Sequence, residues 1–182
     1  MHPPGTRRAC IASVFGLTLW LSGLRSAVAK TPGEVEVGSV LREAVMRGLN
    51  GPDRKLSEFR GKPLVINVWA SWCPPCIREM GSLERLAWSD AGQKFTVIGI
   101  STDDDMEAAK ARLRQNSATL NHYIDRNLEL ENMLGADHLP LTVLVDAKGR
   151  VVSKTTGARE WDSAESIAMI NKAFRVTRAA KP

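Results

Sequence analysis

Cysteine is scarce in this chain: 182 residues hold three, Cys10, Cys73 and Cys76. So few exclude a domain stapled by several disulfides. They also exclude a zinc site made from two Cys pairs, because structural zinc takes four ligands. Only His122 and His138 remain to complete a metal site around Cys73 and Cys76. Long apolar runs are missing too. Ala9 to Leu24 is uncharged and mostly apolar, yet shorter than the ~20 residues of a spanning helix. Internal repeats and low-complexity tracts are absent. The first 29 residues contain no acid; without Arg7, Arg8 and Arg25 the formal charge of +5 falls to +2. That remainder is spread over a mixed-sign surface, so no basic stripe for nucleic acid exists.

The hydrophobic fraction of 43% and charged fraction of 25% are those of a folded soluble chain. The length fits one domain with its own core. Arg7 and Arg8 form a positive start, Ala9 to Leu24 an apolar centre, and Ala27-Val28-Ala29 a small-residue cleavage site. Residues 1–29 therefore read as an export signal, with an uncleaved membrane anchor as the alternative. A twin-arginine signal is a minor reading, because Cys10 and Ile11 follow the Arg pair. Cys10 leaves with the leader, and Cys73 and Cys76 remain in a compartment that permits disulfides.

Along the rest, residues 30–37 read as a tether, 38–176 as one domain and 177–182 as a tail. Val40 to Phe59 reads either as a hairpin turning at Asn50-Gly51 or as a short helix over Leu41 to Leu49. Leu64 to Trp69 is a nearly continuous apolar, β-branched run, the pattern of a strand buried on both faces. A helix is predicted from Pro74 to Trp88, with proline tolerated in the first turn. Phe95 to Ser101 reads as a strand, and Asp103 to Asn116 as a helix capped by Asp103 and Asp104. His122 to Ile124 and Asn127 to Leu134 read as a short strand and a short helix. Strands over Leu141 to Val145 and Val151 to Thr155 flank a turn at Ala147 to Arg150. A helix over Trp161 to Arg175 closes the chain. Alternating strands and helices that end in a hairpin imply an α/β fold, a central sheet with helices on both faces.

Cys73 falls where a buried strand meets a helix start. Free N–H groups and the helix dipole stabilise an anion there, so the thiol of Cys73 should ionise easily. Cys76 lies one turn on, close enough to bridge. Cys73 is the expected nucleophile, and Cys76 the resolving thiol. Pro74 and Pro75 stiffen the loop and remove two N–H donors. Ile77 after Cys76 excludes covalent haem attachment, which needs His there. A purely structural bridge would close a tiny loop and constrain the unfolded chain little.

Glu79 is the second candidate. At ~100° per residue from Cys76, Met80, Leu83, Leu86 and Ala87 fall in one arc, and Glu79 falls inside it at about −60°. A carboxyl on the core face should have its pKa raised, and one turn from Cys76 it can exchange a proton with that thiol. An edge Glu that reaches solvent is the bland alternative. Leu139-Pro140 precedes a core strand; a trans bond is the ordinary expectation, and a cis bond would fold the chain sharply.

The segment Gly61 to Cys76, GKPLVINVWASWCPPC, resembles the active-site stretch of TlpA/ResA-type thioredoxin-like proteins, and Leu139 to Asp146, LPLTVLVD, resembles their second signature. The resemblance spans roughly Val37 to Phe174. It implies a thioredoxin fold, a central mixed sheet with an N-terminal hairpin-like extension. It implies that Pro140 is cis, that it faces Cys73 and Cys76, and that the backbone of Leu139 docks the extended segment of a substrate. Trp72, Pro74 and Pro75 complete the expected substrate surface. Relatives carry Glu at the place of Glu79, and Asn67 stands where ordinary thioredoxins carry a buried Asp. The family implies an extracytoplasmic, periplasmic reductant of apocytochrome c or of copper-site assembly proteins. It would be recharged by a membrane electron donor, act as a monomer, and need no cofactor beyond the Cys73–Cys76 pair. Leu141 departs from the Glu that the cytochrome-maturation branch often carries there. Two other functions are open: a copper-handling chaperone using the Cys pair and His138, or a net disulfide-forming oxidant.

Overall fold

The computed structural model describes residues 31–179, with side chains through 174. The leader over residues 1–29 and the end of the tail lie outside the described residues. The elements run β1 (Val45–Gly48), β2 (Arg54–Lys55), β3 (Leu64–Trp69), α1 (Pro74–Trp88), β4 (Thr96–Ser101), α2 (Met106–Gln115), β5 (Asn121–Ile124), α3 (Glu129–Leu134), β6 (Leu141–Val145), β7 (Val151–Thr156) and α4 (Ala164–Ala179).

The seven strands form one mixed sheet in the order β2-β1-β5-β4-β3-β6-β7. β3 lies parallel to β4 and antiparallel to β6. All six of its residues are buried, which is why it reads as a nearly continuous apolar run rather than an alternating one. Its pleat splits them between two cores. Leu64, Ile66 and Val68 face α3 and the N-terminal segment, in a cluster with Leu130, Met133 and Leu134. Val65 and Trp69 face the other side, where Leu83 and Leu86 of α1, Leu113 of α2 and Ile170 of α4 pack. Each fully buried leucine there contributes about 2 kcal/mol. Helices thus cover both faces, as the alternation of elements requires.

Several boundaries differ from the sequence reading. The Val40–Phe59 stretch is a hairpin followed by a short 3-10 turn over Leu56–Phe59, not a helix. The expected tether over residues 30–37 packs against the domain along its described part: Val35 is buried, its N–H donates to the Met133 carbonyl at 2.8 Å, and Glu34 pairs with Lys154. α2 starts at Met106 with Asp105 as its cap, receiving the Glu107 N–H at 2.8 Å; Asp103 is turned inward instead. α3 starts at Glu129. α4 starts at Ala164 and runs to Ala179, past the expected end at Arg175. Ser163 caps it, its Oγ receiving the Ser166 N–H at 3.2 Å. Trp161, expected in the helix, is left in the connection and is fully buried.

A candidate thiol–disulfide exchange site

The parallel strands β3, β4 and β5 all end on one side of the sheet, and β3 delivers Cys73 there. Cys73 has extended backbone angles and caps α1. It is bridged to Cys76 with Cα atoms 5.3 Å apart. Of the first three helix positions, two are Pro74 and Pro75. Only the Cys76 N–H remains, and it donates to the Cys73 sulfur at 3.3 Å. The approach is fixed from below by Asp103. Its carboxylate receives the Ser71 N–H at 2.8 Å and the Ser71 and Ser101 hydroxyls at 2.6 Å each. This buried hub ties the loop that carries Cys73 to the end of β4.

Cys73 keeps only 4% of its exposure, less than an accessible thiol suggests. Its surroundings supply the exposed surface. Trp72 is 68% exposed, Pro74 is exposed and Pro75 half-buried. Leu139 packs against the cluster that contains both sulfurs. The Leu139–Pro140 bond is cis, so the resemblance overrides the ordinary trans expectation. His138 is turned to solvent and pairs with Asp137 at 3.2 Å. Among the described residues, no group of three or more His, Cys, Asp or Glu side chains is placed to hold a metal ion.

Glu79 lies on the buried face of α1 with Cys76, Met80, Ser82, Leu83 and Leu86. At 1% exposure it is no edge residue. Three donors meet its carboxyl. Asn67 Nδ2 donates to Oε1 at 2.7 Å, while the Arg159 N–H and the Trp161 indole N–H each donate to Oε2 at 3.0 Å. Asn67 reaches it because residue 67 shares the α1 side of β3 with Val65 and Trp69, and its amide also donates to Thr142 Oγ1 at 3.1 Å. Burial raises the pKa of Glu79 above the ordinary 4.5, and the hydrogen bonds from Trp161, Asn67 and Arg159 oppose that rise. The sequence pattern finds Glu79 but misses Trp161, Arg159 and Ser82. Their roles come from contacts across some eighty positions, which no periodicity carries. The polar Asn67 inside the apolar run of β3 was the one local sign of a partner.

The raised pKa has a consequence for stability. Between the ordinary value and the folded one, the native state holds a proton that the unfolded chain has lost. Stability therefore falls as pH rises through that window. Glu79→Gln lacks this contribution, so its stability relative to the natural protein should climb with pH and then level off. Urea unfolding of the oxidised protein from acidic to neutral pH measures it; a constant offset would mean Glu79 titrates normally.

Comparison with known proteins fits this geometry. Residues 36–170 match the Redoxin family model. The chain is 30% identical over 123 residues to "Thiol-disulfide oxidoreductase ResA" of Geobacillus thermodenitrificans, covering 68% of this chain and 71% of that protein. A protein of the same name from Halalkalibacterium halodurans is 27% identical over 149 residues, 82% of each chain. Among solved structures, the thioredoxin domain of a thiol-disulfide oxidoreductase from Bacteroides vulgatus superposes with a TM-score of 0.64 at 22% identity, covering 76% of this chain and 98% of that one. StoA from Bacillus subtilis gives 0.61 at 17%, covering 74% and 97%.

Proposed function

Because this chain belongs to the redoxin family as a ResA/TlpA-type thiol–disulfide oxidoreductase with a thioredoxin fold, we propose that it works as a reductant of protein disulfides outside the cytoplasm, with Cys73 as nucleophile, Cys76 as resolving thiol and Glu79 as proton acceptor and donor. The observation that carries the direction is the poverty of donors at Cys73. A strong oxidant owes its potential to a well-stabilised thiolate in its reduced form. Here two of the three first-turn N–H groups are missing, one donor reaches the sulfur, and a buried carboxyl sits one turn beyond Cys76. Beyond the helix start itself little is left to stabilise a thiolate at Cys73, less than the sequence alone suggests, so the bridged form is favoured and the dithiol gives up its electrons readily.

The steps follow from the positions. In the reduced protein the Cys73 thiolate attacks one sulfur of the substrate disulfide; that bond breaks, a mixed disulfide forms, and the other substrate sulfur leaves as a thiolate. The carboxylate of Glu79 takes the proton of Cys76. The Cys76 thiolate then attacks the Cys73 sulfur and releases the second substrate thiolate. The Cys73–Cys76 bridge forms. Two electrons have passed to the substrate, whose thiolates take up two protons. No further cofactor is needed, because the sulfur pair carries the electrons. Trp72, Pro74, Pro75 and the Leu139–Pro140 segment form the surface for an extended substrate chain. Apocytochrome c or a copper-site assembly protein is the substrate class, on the strength of the family resemblance. The leader reading supports export, a monomer suffices for the chemistry, and a membrane electron donor would restore the dithiol.

Equilibration with glutathione tests the direction. The expected potential is near that of thioredoxin, about −270 mV, or lower; a value near about −120 mV would make the protein an oxidant. Cys76→Ser should stop at the first step and hold the substrate as a mixed disulfide, identifiable by mass spectrometry after non-reducing purification. Stoichiometric, tightly held copper on the natural protein after anaerobic reduction would favour a copper chaperone.

A further inference from the structure

The connection between β7 and α4 joins two parts of the site that the exchange steps treat separately. It begins at Gly157, whose N–H donates to the Pro140 carbonyl at 2.8 Å, directly beside the cis bond. Gly157 has φ +91°, a left-handed conformation that glycine adopts without steric cost. Two residues on, the Arg159 N–H meets Glu79; two more, Trp161 meets it with its indole. Trp161 is fully buried, and its own N–H donates to Ser82 Oγ at 3.0 Å, which in turn donates to the Glu79 carbonyl at 2.7 Å. The ring is thus tied to α1 at both ends of residue 79.

All three partners of the carboxyl are donors. An ionised carboxylate accepts only, so this arrangement is built for the charged form. A protonated carboxyl would turn an O–H toward groups that themselves donate. Burial pulls the other way and favours the neutral acid. The side chain is left able to hold or lose a proton according to how many donors reach it. Two of its donors come from β3 and the Arg159 backbone, and the third is the Trp161 indole.

We infer that Trp161 is a positioning residue of the exchange reaction, whose indole N–H fixes the Glu79 carboxyl and sets the pH at which Glu79 takes the proton of Cys76. The inference rests on the proton-transfer role proposed for Glu79. The titratable and charged groups around that carboxyl are few. On α1 it is Cys76. From the β7–α4 connection it is Arg159, whose guanidinium turns outward to Glu165 at 3.3 Å. β3 and β6 contribute the neutral Asn67 and Thr142. Asp162 and Glu160, beside Trp161, face Arg85 instead. Trp161 therefore acts on Glu79 by its hydrogen bond, not by a competing charge.

The test uses the full chain with Glu carboxyl carbons labelled, Glu79→Gln identifying the resonance. Trp161→Phe keeps a large apolar ring and removes the N–H. The loss of one donor to a charged group should raise the Glu79 midpoint by about one to two pH units. In stopped-flow reaction of the reduced protein with an aromatic disulfide, release of the second aromatic thiolate reports attack by Cys76. The acid limb of that step should move up by the same amount, while release of the first thiolate, which reports Cys73, stays unchanged. If Trp161→Phe fails to fold, the benzothiophene analogue of tryptophan at 161 keeps the shape and removes the same donor. An unmoved midpoint in the folded variant overturns the inference and leaves the role of Glu79 intact. A wild-type acid limb in Glu79→Gln instead removes Glu79 from the reaction, and Trp161 with it.

Discussion

Cys73→Ser should lower turnover of any protein disulfide by on the order of 10³-fold or more, to the rate of uncatalysed exchange, as expected when a reaction's nucleophile is removed. A serine hydroxyl does not ionise near neutral pH and forms no reversible bond to sulfur, so no mixed disulfide can start. The fold should survive. The bridge spans a sequence separation of only three, and loop-closure entropy assigns such a short ring about 2 kcal/mol, against a typical domain stability of 5–15 kcal/mol. The comparison that isolates chemistry from folding is between the variant and the reduced natural protein. Their urea midpoints should agree closely while their turnover differs completely. Cys76→Ser supplies the contrast: it still captures substrate but does not release it. Full activity in Cys73→Ser would place the nucleophile elsewhere, and within the described domain Cys76 is the one other thiol.

How far this site is legible in the sequence depends on the range of the interaction. β3 and α1 are local matters, an apolar β-branched run and a helix opening at Pro74, and their boundaries fall as the pattern places them. The position of Glu79 follows from helix geometry alone, since residue 79 shares a face with residues 76, 80, 83 and 86. The cis bond at Pro140 does not follow from local physics, which favours trans; the family resemblance supplies it. The cap of α2 shows where local rules stop. The sequence reading places the cap at Asp103 and Asp104, and the structure places it at Asp105. Ser71, thirty-two positions away, binds Asp103 and leaves Asp105 to cap the helix. Trp161 fails for a similar reason. It extends an apolar pattern into α4, but Ser163 is the better cap, and the indole has a partner on α1.

His122 is the clearest case of a residue whose role only packing reveals. In sequence it is a possible metal ligand. In the fold it sits in β5 at 4% exposure, edge-on to Trp69 with ring centroids 5.5 Å apart. Neither ring nitrogen has a hydrogen-bond partner, and Trp69 Nε1 beside it has none. The imidazole fills the space above Gly99, where an added Cβ would stand 2.1 Å from Nδ1. Burial pushes its pKa down from 6.5 to about 4, with the charge of Glu84 opposing to a smaller extent. The sign is fixed by which state binds the proton. Between pH 6.5 and about 4 the unfolded chain takes up a proton that the native state refuses, so stability falls as pH falls across that window. A depression of this size corresponds to about 3 kcal/mol, complete below pH 4 and absent at pH 7. His122→Leu should abolish that loss. At pH 7 the variant should be no less stable than the natural protein, because an apolar side chain leaves no buried nitrogen without a partner. Glu79 contributes a slope of opposite sign, so the measurement belongs in the Glu79→Gln background, where urea midpoints from pH 7 to pH 4 report His122 free of that second proton. An acid loss of the same size in His122→Leu would mean that the imidazole is charged or solvated in the native core, and that other carboxylates carry the acid sensitivity.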